Sequence, residues 1–321
     1  METLTLRPLS VADAPALTAL LAANELVDHT GENYSEADIA DELADASIDL
    51  SRDSLAAVAP DGSFAGWAAV RSAATVRDVD RVFVEGGVLP SRRGEGLGRR
   101  LLEWAEGRGA ALHAERHPSV PGELAIGIGS GIPSLQRLAA ARGFQPVRWW
   151  YGMKRDLSDL PAAPPVPAGL RLVPYDPAHD AALRLAHGEA FADHWGSVPP
   201  DEQRWAHWFT GSHAFRPDIS LLVLAESTIA AYLLSYFWEA DAAATGKREA
   251  YIGQIGTLAP WRRRGLGELM LATAMAGFAA AGYDQASLTV DTGNPTGALG
   301  LYERVGFTVD HESVTWAKPL G

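Results

Sequence analysis

Leu258–Ala259–Pro260–Trp261–Arg262–Arg263–Arg264–Gly265–Leu266–Gly267 is the stretch on which the reading of this chain turns. The apolar run Ala250 to Leu258 before it reads as a strand, and Gly265 to Ala281 after it reads as a helix. A helix opened by glycines and arginines is suited to anions. Its first-turn N–H groups have no internal partner, and the helix dipole is positive there. Glycine lets backbone donors approach closely, and guanidinium forks add charge. Pro260 ends the strand pairing. Alone, the run is equally well a tight turn with a solvated basic face.

A second copy gives it weight. Val88–Leu89–Pro90–Ser91–Arg92–Arg93–Gly94–Glu95–Gly96–Leu97–Gly98 repeats the pattern, and Gly143–Phe144 and Gly306–Phe307 follow the two loops at 46 and 40 residues. Leu4–Thr5–Leu6–Arg7–Pro8 matches Leu170–Arg171–Leu172–Val173–Pro174, and Ser158 to Gly169 between the halves is rich in proline, as a semi-rigid spacer is. The expected domains are therefore 1–157 and 170–321, joined by a linker at 158–169. In the second copy Ser220 to Leu224 and Ile229 to Trp238 read as a hairpin, Ser287 to Asp291 as a strand, Pro295 to Val305 as a helix and Thr308 to Lys318 as a last strand. This is an α/β pattern with a mixed sheet.

Composition narrows the function. The 321 residues contain no Cys, which excludes disulfides, Cys-ligated metals and a cysteinyl acyl-enzyme. A net charge of −13, shared between the halves, argues against nucleic acid and anionic membranes as partners. The start METLTLRPLSVADAPALTALL lacks the marks of a signal peptide, and the weakly polar run Met270 to Tyr283 is too short to span a bilayer, so a cytoplasmic location is expected. The nine histidines show no metal-ligand spacing, and no metal is expected.

No Gly-Lys-Ser/Thr follows either loop, and of the three spaced glycines of a dinucleotide site the second copy offers only Gly265 and Gly267. The pattern instead resembles the Arg/Gln-x-x-Gly-x-Gly/Ala pyrophosphate loop of the GCN5-related N-acetyltransferases (GNAT family), as Arg93-x-x-Gly96-x-Gly98 and Arg262-x-x-Gly265-x-Gly267. Asn294 through Leu301–Tyr302–Glu303 to Gly306–Phe307 resembles that family's later element, with Asn294 and Tyr302 one residue further apart than its commonest spacing. Asn294 before Pro295 also reads as a helix cap.

The resemblance implies a tandem duplication of the GNAT acyl-CoA N-acyltransferase fold, with a mixed central sheet flanked by helices in each half. It implies acetyl-CoA as acyl donor. Its pantetheine would lie between two splayed strands against Thr257 and Leu258. Its pyrophosphate would meet Arg262, Arg263, Arg264, Gly265, Leu266 and Gly267, with Asn294 nearby; Val88, Arg93, Gly94, Gly96, Leu97 and Gly98 are the first-half counterparts. Tyr302 would protonate the leaving thiolate after direct attack by an amine.

The halves are unequal, since Ala139 stands where Tyr302 would be and Gly131 opposite Asn294. The second half is expected to catalyse and the first to be degenerate, a layout that resembles mycothiol synthases. The family's basic Glu falls at Gln254, so the base is open among Glu249, Glu239, Asp291, His194 and a water chain, each of which alone reads more readily as solvated or structural. His194 and Trp195 are expected to line the acceptor pocket with Gln254, while Trp205, Trp208 and Phe209 read mostly as core. The expected reaction is acetylation of a small-molecule primary amine, an acidic surface favouring cationic acceptors such as polyamines or amino sugars. A cysteinyl glycoside acceptor, a non-catalytic acyl-CoA-binding regulator and a protein N-terminus or lysine acetyltransferase are the alternatives. A homodimer is left open.

Overall fold

The computed structural model describes residues 4–294 and 297–320. Among them the strands are β1 (Thr5–Arg7), β2 (Ser54–Val58), β3 (Phe64–Arg71), β4 (Asp80–Val88), β5 (Gly122–Gly129), β6 (Gln145–Asp156), β7 (Leu170–Pro174), β8 (Leu221–Ala225), β9 (Thr228–Tyr236), β10 (Glu249–Thr257), β11 (Gln285–Asp291) and β12 (Thr308–Leu320). The second-copy elements match the sequence expectation closely. The helix expected from Pro295 instead spans Ala298–Arg304; Pro295 and Thr296 lie outside the described residues. The proline-rich stretch between β6 and β7 carries neither helix nor strand.

The chain forms two compact units, Met1–Trp149 with Ser313–Gly321 and Trp150–Glu312. These are not the two sequence repeats, cut at 157 and 170. In the first unit the strand order is β1-β2-β3-β4-β5-β12, and β12 runs antiparallel to β5 from Ser313↔Gly129 to Leu320↔Gly122. In the second unit the order is β6-β11-β10-β9-β8-β7, and β6 runs antiparallel to β11 from Trp150↔Asp291 to Asp156↔Gln285. Each repeat thus gives its last strand to the unit built mainly from the other. An edge strand leaves a row of N–H and C=O groups that any antiparallel partner of fitting register satisfies. A motif count along the chain cannot tell which copy supplies it.

The same turn sets up that last strand in both repeats. Phe144 N–H donates to the Ala139 carbonyl and Phe307 N–H to the Tyr302 carbonyl, each at 3.0 Å, across Gly143 (φ 86°) and Gly306 (φ 90°). This is a Schellman closure, and its left-handed residue is why a glycine recurs there. Phe144 and Phe307 are fully buried. In the second unit the helix Leu266–Ala280 buries Leu266, Leu269, Met270, Ala274, Met275 and Phe278 in a core shared with Leu233, Ile252 and Leu288 of the sheet. Burial on most of its sides explains the weakly polar run at 270–283. No helix among the described residues is long and apolar enough to cross a membrane.

Ending the chain after Glu312 removes nothing from the second unit but takes Trp316 and Leu320 off the core of the first. The melting temperature is expected to fall by roughly 5–10 °C. Hydrogen exchange should accelerate in β5, Gly122–Gly129, and stay as before in β8 to β10.

Candidate active site

β10 and β11 run parallel but share only the pairs Glu249↔Gln285, Ala250↔Ala286 and Tyr251↔Ser287. Beyond Tyr251 the two strands go separate ways, β10 to Thr257 and β11 to Asp291. The parting coincides with a bulge. The register of β10 against β9 shifts between Ile252 and Gln254, leaving Gly253 as the extra residue. Such an insertion bends and twists its strand. Glycine is needed there, because a Cβ would stand 2.5 Å from the Tyr236 ring. From Ile252 to Gly256 the β11-facing edge of β10 has no strand partner among the described residues, so an extended ligand carrying amides can pair with it.

At the far end of β10 the basic loop makes a turn of fixed shape. Gly265 caps the helix at φ 75° and Arg263 sits at φ 61°. Gly94 and Gly96 take the same left-handed conformation in the first repeat, at φ 81° and 86°. Arg263 thus holds a conformation that costs an L-residue about 1 kcal/mol and that its counterpart meets with glycine. The first intrahelical bond is Leu269 N–H to the Gly265 carbonyl, so the N–H groups before it face outward at the dipole's positive end.

The residues expected at this loop divide into two kinds. Arg262 braces the fold: its Nε donates to the Thr257 carbonyl at 3.1 Å and its Nη2 to the Ala190 carbonyl at 3.2 Å. Leu266 is core, as is Leu97. Gly267 lets the helix lie on its neighbour, since a Cβ there would meet Leu301 at 2.8 Å. Leu258, expected against pantetheine, has its N–H on the Ala230 carbonyl and its carbonyl on Trp261 N–H; the open edge lies before Thr257. Arg263, Arg264 and Gly265 are the exposed members, and the Arg264 guanidinium lies 4.8 Å from the Trp261 ring.

The first unit presents the same turn with its charge cancelled. Arg93 makes the same strand brace, Nε to the Val88 carbonyl at 3.1 Å, but both its Nη atoms grip Asp28 at 2.6 Å and Nη2 also reaches Asn24. Glu95 replaces Arg264 and pairs with Arg92 at 3.3 Å. β4 and β5 stay paired for five residues, Asp80↔Gly122 to Val84↔Ile126, and β4 has no bulge against β3. Ala139 is fully buried in Tyr302's place.

Tyr302 is carried by the helix Ala298–Arg304 and buried, with its ring 6.1 Å from Phe307. Its hydroxyl makes no hydrogen bond among the described residues. Burial, and secondarily the nearby Tyr251, push its pKa well up, so it keeps its proton until an anion forms beside it. Asn294 lies in the turn after β11, its N–H on the Asp291 carbonyl at 3.1 Å; the helix is capped by Gly297 and not by Asn294.

Glu249, one of the candidate bases, stands at the closed end of the strand pair. Its carboxylate accepts from the Gln285 amide and the Ser287 hydroxyl and faces Lys154 at 3.4 Å. Gln254 stands on the open part of β10 and accepts from the Tyr236 hydroxyl at 2.7 Å. Tyr236, Trp238 and Tyr251, unremarked in the sequence, form a connected aromatic wall, with Tyr236–Trp238 at 6.0 Å and Trp238–Tyr251 at 5.7 Å. Their signal was the aromatic run Tyr236–Phe237–Trp238, with Tyr251 opposite Tyr236 in the facing strand. His194 and Trp195 do come together, each 6.1 Å from Trp150. Trp205 is core and stacks on Phe209 at 4.5 Å, whereas Trp208 is exposed.

Residues 181–307 match the model of the Acetyltransferase (GNAT) family. A mycothiol acetyltransferase of Tsukamurella paurometabola is 32% identical over 73% of this chain and 77% of its own length. One of Thermobispora bispora is 32% identical over 69% and 70%. Among solved structures, a GCN5-related N-acetyltransferase from Sphaerobacter thermophilus is 28% identical, with a TM-score of 0.77 over 99% of this chain and 96% of that one. A tandem GNAT protein from the clavulanic acid biosynthesis pathway shares the fold over 99% of both chains, with a TM-score of 0.68 and 18% identity. Splayed strands, bulge, basic cradle and these likenesses define one class: the chain belongs to the GNAT acetyltransferases. Its architecture is the tandem form of that fold.

Glu85 of the first unit occupies the position of Gln254, eight residues before the loop arginine. It shares Arg71 with Glu42 and Asp45 at 3.1–3.3 Å. Burial, then repulsion from Glu85, pushes the Glu42 carboxyl up to about 7. A carboxyl raised above its unfolded value favours folding while protonated, and that contribution is lost as pH rises from about 4.5 through 7. Glu42→Gln should therefore raise the melting temperature at pH 8 and leave it nearly unchanged at pH 4, as thermal melts at the two pH values would show.

Proposed function

We propose that the second unit transfers an acetyl group from acetyl-CoA to a primary amine of a small molecule, and that residues 1–157 are a catalytically degenerate partner repeat. The observation that carries this is the contrast between the repeats. Only the second combines an early-parting strand pair, a cradle of unopposed arginines and a buried tyrosine beside the gap. The outward N–H groups around Gly265, with Arg263 and Arg264, suit a pyrophosphate. The free edge of β10 suits the pantetheine amides. A bound amine attacks the thioester carbon directly, the reaction gaining from orientation and from backbone donors at the oxyanion. Tyr302 protonates the departing thiolate, and its raised pKa keeps the proton available for a strong base. This reading calls for no metal ion.

A cysteinyl glycoside acceptor is the second reading, favoured by relatives named mycothiol acetyltransferase. Free-CoA release measured over a panel of polyamines, amino sugars and a cysteinyl glycoside separates the two. Turnover with simple amines supports the first, turnover confined to the glycoside supports the second, and none with any amine removes both.

Tyr302→Phe should lower kcat by roughly 10–100-fold with the KM for acetyl-CoA within about twofold, as expected for a group used only in the transition state. Arg263→Gly keeps the turn and removes one charge. It should raise the KM for acetyl-CoA several-fold while the melting temperature holds or rises, since glycine is at ease at positive φ.

A further inference from the structure

If the second unit acetylates amines, an ammonium must lose a proton before it attacks, and Gln254 and Glu249 on β10 are poorly suited to take it. Gln254 has no basic atom, and Glu249 is held by Gln285, Ser287 and Lys154 at the closed end of the strands. His187 is buried, bonded to the Tyr232 hydroxyl at 2.7 Å and pushed down to about 4 by burial, then by Arg204 and His194.

His194 is placed differently. Its Nδ1 lies 3.2 Å from the Trp195 carbonyl oxygen, which can only accept, so Nδ1 carries the proton and Nε2 keeps its lone pair. Nε2 has no hydrogen bond among the described residues, and the residue is half-buried. The ring is flanked by Phe191 at 5.3 Å and Trp150 at 6.1 Å. Trp150 is the ladder partner of Asp291, the last residue of β11. Phe191 stacks on His187 at 4.6 Å, and His187 reaches Tyr232, the ladder partner of Gly256 on β10. The same loop is tied to β10 a second time, by Arg262 bridging the Ala190 and Thr257 carbonyls. His194 is thereby linked, through Trp150 on β6 and through Phe191, His187 and Tyr232 on β9, to the strand neighbours of Asp291 and Gly256.

We propose that His194 is the general base of the transfer, Nε2 taking the proton from the acceptor's ammonium. This rests on the function proposed above. The ammonium gives a proton to Nε2, which releases it to water. The freed nitrogen attacks the thioester carbon, forming the C–N bond. The C–S bond breaks with its electron pair on sulfur, Tyr302 protonates the thiolate, and the tyrosinate recovers a proton from the acylated nitrogen. One proton leaves per turnover. The charged and titratable groups near His194 are His187, which it interacts with, Arg204 beside His187, Asp193 before it in the chain, and Asp291 opposite its neighbour Trp150.

The test compares the full-length wild type with His194→Asn and His194→Ala by CoA release, by pH profiles of kcat/KM and by calorimetric binding of acetyl-CoA. Expected are a kcat/KM lowered roughly 10²-fold, loss of the acid limb, unchanged acetyl-CoA binding and partial recovery of His194→Ala by added imidazole. Wild-type rate and acid limb in His194→Asn would overturn the assignment. So would a rate loss that imidazole fails to restore, or unfolding of both variants, which would make the ring structural. A wild type that releases no CoA with any amine instead removes the acetyltransferase reading itself.

Discussion

Three residue pairs hold β10 to β11, and the rest of the site depends on there being no fourth. Continued pairing would satisfy the backbone of both strands and leave no edge for a ligand. The extra residue at Gly253 gives the parting its cause, because an inserted residue bends β10 where the ladder ends and the Tyr236 ring fills the space beneath. Gln254 stands on the opened stretch, Tyr251 at the last pair before it with Tyr302 near enough to feel its charge, and the helix opened by Gly265 begins beyond the far end of β10.

The first unit shows the same frame without these departures. Its central strands stay paired for two residues more, its loop arginine is held by Asp28, and Glu95 opposes Arg92. Glu85 nevertheless stands where Gln254 does in the second unit, while Ala139 replaces Tyr302. Each repeat has kept a different polar residue of the pattern. The brace from the loop arginine to the strand end is present in both, at 3.1 Å, and ties the turn to its strand.

A motif names residues but not what their side chains touch. Arg262 and Leu258 belong to the loop by sequence, yet Arg262 places Nε and Nη2 on the Thr257 and Ala190 carbonyls and Leu258 its N–H on the Ala230 carbonyl. Glu249 is acidic and on the right strand, but at its closed end. His194 and Trp195 are adjacent in the sequence, but their common neighbour Trp150 lies 44 and 45 residues earlier in the chain.

The sequence by itself determined the duplication, the strand–turn–helix loops with glycines at 96 and 265, and the glycine–phenylalanine closures, all set by local backbone conformation and hydrophobic periodicity. The tertiary structure alone decided which unit each last strand completes, where β10 leaves β11, and which arginines face solvent. Those outcomes depend on pairing and packing between residues far apart in the chain, where several partners of similar local sequence compete and only register, bulge and burial select among them.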